Sequence, residues 1–562
     1  MHFGQIDLVE IALAAVLLTQ RNRIEAVLRR LARHPRWCGA VLFGLVIALR
    51  LALLPLHPVP TGSGADDFSY LLLGDTFAHL RLANPVQPMH EFFETNFVLQ
   101  QPSYSSIYPA GQGIVLALGQ ALFHQPWAGV LLSMALLSGL CYWMLRGWLS
   151  PPWALAGGLL AVCEFGPLNS WMNCYWGGAV SGVAGCLVFG ALPRLATETG
   201  LLVRRGAAIL LGLGMGLEML TRPYESIFLA ASIMIFLLPH LRRRVEWPSL
   251  ARIALSVALG LLPPVALLLA QNHAVTGSWT TLPYSLSRYQ YGIPTTFTFQ
   301  ALPIPHNTLT AVQELYFDGQ SAAHGDGETV GRYVSRLADR AHFYLFFLEA
   351  PLLIAVLFLW PLRRQFRVRW IVLTVALFAL GCNFYPYFFP QYIAAETSLF
   401  LLAALIGLER LAQWRPGGRR AGRVAASAIL LLCAAHFLFW YSVHALGDEK
   451  TLRTLVPQET DAGINFGDPE GRIAINRRLA AAPGKQLVFV RYFATHGYHE
   501  WIHNAADIDA SRVIWALELT PQENETLERH YSDRKVWLLE PDADPPRLMP
   551  YPKTSGPFLT VE

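Results

Sequence analysis

The chain has 562 residues, of which 53% are hydrophobic and only 15% charged, where ordinary soluble domains carry about 25% charge. That deficit excludes a soluble enzyme of ordinary composition and a disordered chain. A net charge of +4, from 43 basic and 39 acidic residues, excludes the electrostatic footprint of a nucleic-acid binder.

Apolar runs dominate the chain up to residue 444. A bilayer-spanning helix needs about 20 apolar residues. The candidate spans are 37–57, 127–145, 152–168, 177–193, 206–221, 225–241, 250–271, 342–361, 370–388, 392–412 and 424–444. Residues 5–20 form a shorter run that contains Glu10. No positive segment precedes this run, so it is not read as a cleaved signal. The sequence therefore predicts a polytopic α-helical membrane protein of about 12 spans. The seven cysteines all precede residue 445 with no obvious pairing, and Lys450, Lys485, Lys535 and Lys553 all follow it. The expected division is a membrane part, 1–444, and a soluble extracytoplasmic tail, 445–562. Within the tail, apolar runs at 486–492, 512–519 and 535–540 alternate with helix-like stretches such as 525–529, which predicts a small α/β domain.

Arginine placement sets the orientation. Residues 21–36 hold six arginines, and 204–205, 242–244, 363–369 and 415–423 are also basic. With these on the cytoplasmic side, the connectors 58–126, 166–176, 221–225, 272–341, 386–391 and the tail share the other side. This holds if 111–123 is an interfacial or re-entrant helix. The outer connectors are long and rich in Tyr, Trp, Pro and amides, as expected of chain that lines a cavity.

The first outer loop, 58–126, runs through Gly62, Gly64, Asp66 and Asp67, then His79, Tyr104 and Tyr108, and closes on Pro109, Ala110 and Gln112. A helix N-cap plus a first-turn acid explains the aspartates, as does a carboxylate aimed into a cleft. Asn173, Tyr175 and Trp176, then Tyr224 and Glu225, then Arg288 and Tyr291, and finally Gln391 and Tyr392 add polar and aromatic groups on the same side. Such groups suit a sugar ring, and they also suit an interfacial aromatic belt. Arg222 lies between apolar stretches, where an arginine is costly unless paired. Pairing with Glu218 or Glu225 satisfies it, as does a phosphate. His496, His499 and His503 in the tail would share a helical face, but they match no fixed metal spacing.

The acidic pair after the first main span, the Tyr108-Pro109-Ala110 turn into an apolar helix, the many spans and the outer tail together resemble the GT-C glycosyltransferases. That superfamily includes the protein O-mannosyltransferases and the lipid A aminoarabinose transferases. The resemblance implies transfer of a sugar from a polyprenyl-phosphate donor to an extracytoplasmic lipid, glycan or protein at the bacterial inner membrane. It implies Asp66 or Asp67 as the base on the acceptor, and Arg222, Arg288, His79 and Tyr108 near the donor phosphate. Tyr104, Gln112, Asn173, Tyr175, Trp176, Tyr224, Glu225, Tyr291, Gln391 and Tyr392 would line the sugar and acceptor. No protein-held metal site is expected, and a divalent cation is left open as the one cofactor. Among other classes, a flippase of a lipid-linked saccharide would show internal repeats and broken midplane helices, and the sequence shows no repeat.

Overall fold

The computed structural model describes residues 4–197, 200–241, 247–290, 296–302, 304–305, 309–418, 421–456, 459, 463–464, 468, 470–493, 496, 499–500 and 501–552. The membrane part comprises α1 (Gln5–Thr19), α2 (Arg21–Leu31), α3 (Pro35–Ala52), α4 (Ala65–Ala78), α5 (Ala110–Phe123), α6 (Pro126–Leu145), α7 (Pro151–Glu164), α8 (Ala179–Thr197) and α9 (Leu201–Met219). It continues with α10 (Glu225–Leu241), α11 (Trp247–Thr276), α12 (Pro283–Gln290), α13 (Ala311–His324), α14 (Val330–Asp339), α15 (Ala350–Leu357), α16 (Phe366–Cys382), α17 (Thr397–Gln413) and α18 (Ala421–Leu446).

Among the described residues, six helices are long and apolar enough to cross a membrane: Pro35–Ala52, Pro126–Leu145, Ala179–Thr197, Leu250–Thr276, Pro390–Gln413 and Ala421–Leu446. A seventh candidate is the pair Val330–Phe347 and Ala350–Leu357, bent by 102°. The bend falls inside the expected span 342–361, where Glu349 caps a new helix that has proline in its first turn, and proline interrupts a continuing helix. The other expected spans form helices that are shorter or carry more charge. The stretch 111–123 is the 14-residue helix α5, too short to cross, packed between α4 and α6.

Charged residues inside this bundle find partners. Glu10 of α1 accepts from His436 Nδ1 of α18 at 3.0 Å, which explains an acid in an apolar run. Arg50 of α3 is fully buried. It donates to His57 O and to Asn173 Oδ1, both at 3.1 Å, and lies over the Trp127 ring.

The tail begins with α19 (Glu449–Leu455) and α20 (Arg472–Ala481), followed by a four-stranded sheet. β1 (Val98–Leu99) and β2 (Ser105–Ser106) pair separately in the first outer loop. In the tail, β3 (Lys485–Val490), β4 (Val513–Leu517), β5 (Arg534–Glu540) and β6 (Arg547–Pro550) stand in the order β4-β3-β5-β6. The first three are parallel, and β6 runs antiparallel to β5. Helix α21 (Pro521–His530) links β4 to β5 and starts on a Thr520/Glu523 capping box.

Side chains alternate across a strand, and here both faces are covered. Val488, Val490, Trp515 and Leu539 pack on Ile475 and Leu479 of α20. Leu487, Phe489, Ile514 and Leu538 pack on Leu527 of α21 and on Leu72, Phe92, Phe93, Val98 and Tyr104 of the first outer loop. The sheet and that loop therefore share one core.

Candidate functional site

The Asp66–Asp67 pair opens α4. Gly62 turns the chain at φ +76°, a conformation that costs glycine least, and Gly64 is the N-cap. Neither aspartate is itself the cap. Adjacent helical side chains point about 100° apart, and the two carboxylates accordingly have different surroundings. Asp67 is buried. Its Oδ1 accepts the backbone N–H of Tyr175 at 2.7 Å and its Oδ2 that of Ser63 at 3.2 Å. It thus ties the loop to the 173–176 turn. Burial pushes its carboxyl up to about 6, against the pull of those N–H groups.

Asp66 is half-buried and accepts a hydrogen bond from Tyr108 Oη. Burial raises its carboxyl above the usual range, while the Tyr108 hydrogen bond and the Arg222 charge oppose the rise. Tyr108 is fixed from several sides. Its ring stacks on Tyr70 at 4.2 Å, and its carbonyl accepts from Gln271 Nε2 at 2.9 Å. Tyr70 lies one turn after Asp66, so that i, i+4 neighbour was readable from the sequence. Gln271 was missed, and its one signal is an amide pair with Asn272 inside an apolar helix.

Arg222 stands on the corner between α9 and α10. The N-terminus of α5 presses against that corner: Gly111 N donates to Leu220 O at 2.7 Å. A Cβ on Gly111 would lie 2.2 Å from Thr221 Oγ1, so only glycine allows the approach. The Arg222 guanidinium lies 4.7 Å over the Tyr392 ring. Among the described residues it makes no salt bridge, with Glu218 or Glu225 or any other acid. Glu218 instead accepts from Ser181 Oγ at 2.7 Å. The buried Glu225 is close enough for its charge to act on Arg222, as are Tyr70, Tyr392 and Tyr385. Arg288 lies 4.0 Å over Tyr284, and burial lowers its pKa. Both Asp66 and Arg222 act electrostatically on Tyr284.

The structure thus brings together Asp66, Tyr108, Arg222, Glu225, Tyr392 and, through Tyr284, Arg288. Several other expected residues serve the frame. Gln112 donates to Tyr175 O at 2.7 Å, and Tyr175 Oη donates to Pro60 O at 2.6 Å. Asn173 receives Arg50, Trp176 packs on Phe389, and Tyr224 donates to Gly381 O at 3.1 Å. Gln391 is buried beside Tyr392.

Two residues lie elsewhere. His79 is at the far end of α4, roughly 20 Å along the axis from Asp66 at 1.5 Å per residue, and hydrogen-bonds Asp75 O there. Tyr104 points to the tail, donating to Asn504 O at 3.2 Å. Tyr291 lies outside the described residues. The tail histidines share no helix: His496 meets Asp542, His499 meets Glu470, and His503 stacks on Phe68 at 4.3 Å. Among the described residues, no three His, Cys, Asp or Glu side chains stand together as a metal site.

No family model matches the chain, and no curated protein matches its sequence. Solved structures do match in fold. ArnT from Cupriavidus metallidurans in the apo state aligns with a TM-score of 0.50 at 13% identity, over 89% of this chain and 92% of that one. The same protein bound to undecaprenyl phosphate aligns with a TM-score of 0.47 at 13% identity, over the same shares. The archaeal oligosaccharyltransferase AglB from Archaeoglobus fulgidus aligns with a TM-score of 0.37 at 11% identity, over 90% of this chain and 69% of that one. The chain is thus similar in fold to ArnT.

Proposed function

We propose that the chain is a membrane glycosyltransferase of the GT-C type, moving a sugar from a polyprenyl-phosphate donor to a hydroxyl outside the cytoplasm. In this reading, residues 1–444 bind the donor, the loop 58–126 carries the base, and the tail 445–562 covers that loop on the periplasmic side of the inner membrane. The carrying observation is the Asp66 carboxylate beside an Arg222 guanidinium that makes no hydrogen bond or salt bridge among the described residues, in a tyrosine-walled cluster that also holds Glu225. Asp66 takes the proton of the acceptor hydroxyl. The acceptor oxygen then bonds to the anomeric carbon as the bond to the donor phosphate breaks, and the polyprenyl phosphate leaves as an anion. Arg222 offsets the charge on that anion, and Tyr108 holds the carboxylate in place.

The donor class rests on the resemblance. The roles rest on the physics: a phosphate leaving group needs no separate acid, so one placed base suffices. Arg222→Gln tests the donor side. With no hydrogen bond lost from the guanidinium, the variant should fold and insert normally. Its affinity for undecaprenyl phosphate should fall by about tenfold or more, the worth of one charge-assisted contact. Unchanged affinity would remove Arg222 from the donor site.

A further inference from the structure

A cavity lined by arginines lies at the end of the bundle away from Asp66. Helix α3 leaves the arginine-rich face at Pro35 and delivers the chain to Asp66 at its far end, and α6 and α8 run back to the arginine-rich face. At their ends a cavity of about 560 Å³ is lined by Arg36, Arg146 and Arg194, with Tyr142, Trp143 and Gly147. That volume falls within the range of small-ligand sites. The lining includes no acidic side chain. Among the described residues, neither Arg36 nor Arg146 forms a salt bridge. Cations gathered in a partly buried cavity repel one another and favour an anion between them.

The cavity also has built features. Arg194 is held in place: Nη2 donates to Trp143 O at 2.8 Å, and the guanidinium lies 4.1 Å over the Trp143 ring. Gly147 makes room for it, since a Cβ there would lie 2.9 Å from Arg194 Nη1. Tyr142 is 3% exposed, and its hydroxyl sits close to Arg146 and Cys38. A hydroxyl both donates and accepts, so it can turn to a ligand oxygen held beside Arg146.

We propose that this cavity binds the phosphoryl group of an anionic lipid headgroup in the leaflet on the arginine-rich side. Arg36, Arg146 and Arg194 would supply the charge and Tyr142 Oη a hydrogen bond. The position at the ends of three membrane helices favours a lipid over a free ester, because headgroups lie at that level. The site stands at the opposite end from Asp66, so its failure would leave the transfer reading untouched.

Native mass spectrometry of the full-length protein tests it, with phosphatidylglycerol, phosphatidylcholine and inorganic phosphate as probes. Phosphatidylglycerol should bind more tightly than phosphatidylcholine. Arg36→Gln/Arg146→Gln should weaken it by about tenfold or more, the loss of two charge-assisted contacts. Arg364→Gln, exposed on the same face, should leave it unchanged. Arg36→Gln alone keeps the test sound if the double variant fails to fold, because Arg36 is exposed and holds no other element. Its effect should have the same sign and be smaller. If inorganic phosphate binds to the cavity arginines while phosphatidylglycerol shows no advantage over phosphatidylcholine, the lipid assignment is overturned in favour of a soluble phosphate. Equal lipid binding by wild type and both Arg36 variants would overturn the site altogether.

Discussion

The Asp66–Arg222 cluster and the tail sheet both concentrate charge and aromatic rings, yet they use their charges differently. In the tail the cations are consumed by structure. Arg491 bridges Glu518 and Glu540. Arg534 donates to the carbonyls of Ser511 and Asp509. Arg472 lies over Trp501 and Phe68 and donates to Glu500 O and Ser63 O. In the Asp66–Arg222 cluster, Arg222 has a ring beneath it and no hydrogen bond from its guanidinium among the described residues. The same contrast separates neighbours in sequence. Asp67 accepts two backbone N–H groups, whereas Asp66 accepts from one side chain that itself faces the cluster. The tail arginines are tied to carboxylates, carbonyls and rings, whereas the Arg222 guanidinium makes no hydrogen bond among the described residues.

That contrast can be broken most forcefully at Asp67. Asp67→Ala would leave the Tyr175 and Ser63 amides without their acceptor. This should cost about 2–6 kcal/mol, at 1–3 kcal/mol for each buried unsatisfied group, seen as a lower denaturation midpoint. Activity per folded molecule should be affected less than stability. Full stability with abolished transfer would reverse the roles of the two aspartates.

The pH dependence offers a sharper comparison. The Tyr108 hydrogen bond favours ionised Asp66, so Tyr108→Phe should raise the carboxyl further. The acidic limb of kcat/KM would then move to higher pH by about one unit, the size of a charged hydrogen bond. An unmoved limb would separate Tyr108 from the titrating base.

The tail offers a separate test, read as stability and not as transfer. Burial and the Arg472 charge lower His503 to about 3, below an unfolded value of about 6.5. The folded state therefore binds fewer protons than the unfolded chain in this window, and the stability His503 contributes is lost as pH falls from about 6.5 towards 3. Asp67 has the opposite sign: raised to about 6 from about 4 unfolded, its contribution is lost as pH rises between those values. His503→Phe keeps a ring against Phe68 and should flatten the acid-side loss in a urea-unfolding series. An unchanged slope would assign that loss to other groups.

The sequence makes some of this legible and hides the rest for physical reasons. Apolar runs mark membrane helices because lipid admits little else. The alternating runs at 486–492, 512–519 and 535–540 mark β3, β4 and β5. Strand β6 was not foreseen, since four residues ending in Pro550 give no alternation. The break near Glu349 was missed because apolar composition continues through it. The Asp66–Asp67 pair was recognisable as a motif. Which carboxylate faces the cluster depends on the Tyr175 amide more than a hundred residues away, and no local pattern records that. His79 could have been discounted from helix length alone. The shared core of the tail and the first outer loop depends on long-range packing of Leu72, Phe92 and Phe93, whose apolar character fits a buried position anywhere.

The central claim is that Asp66, and not its neighbour, removes the acceptor proton. Asp66→Asn and Asp67→Asn should be assayed side by side for sugar transfer from a polyprenyl-phosphate donor, with rates normalised to folded protein. Asp66→Asn should lower turnover by about 10²–10⁴-fold, the usual worth of a general base, with insertion and stability intact. Asp67→Asn should retain most of its activity per folded molecule. Near-normal transfer by Asp66→Asn would contradict the account.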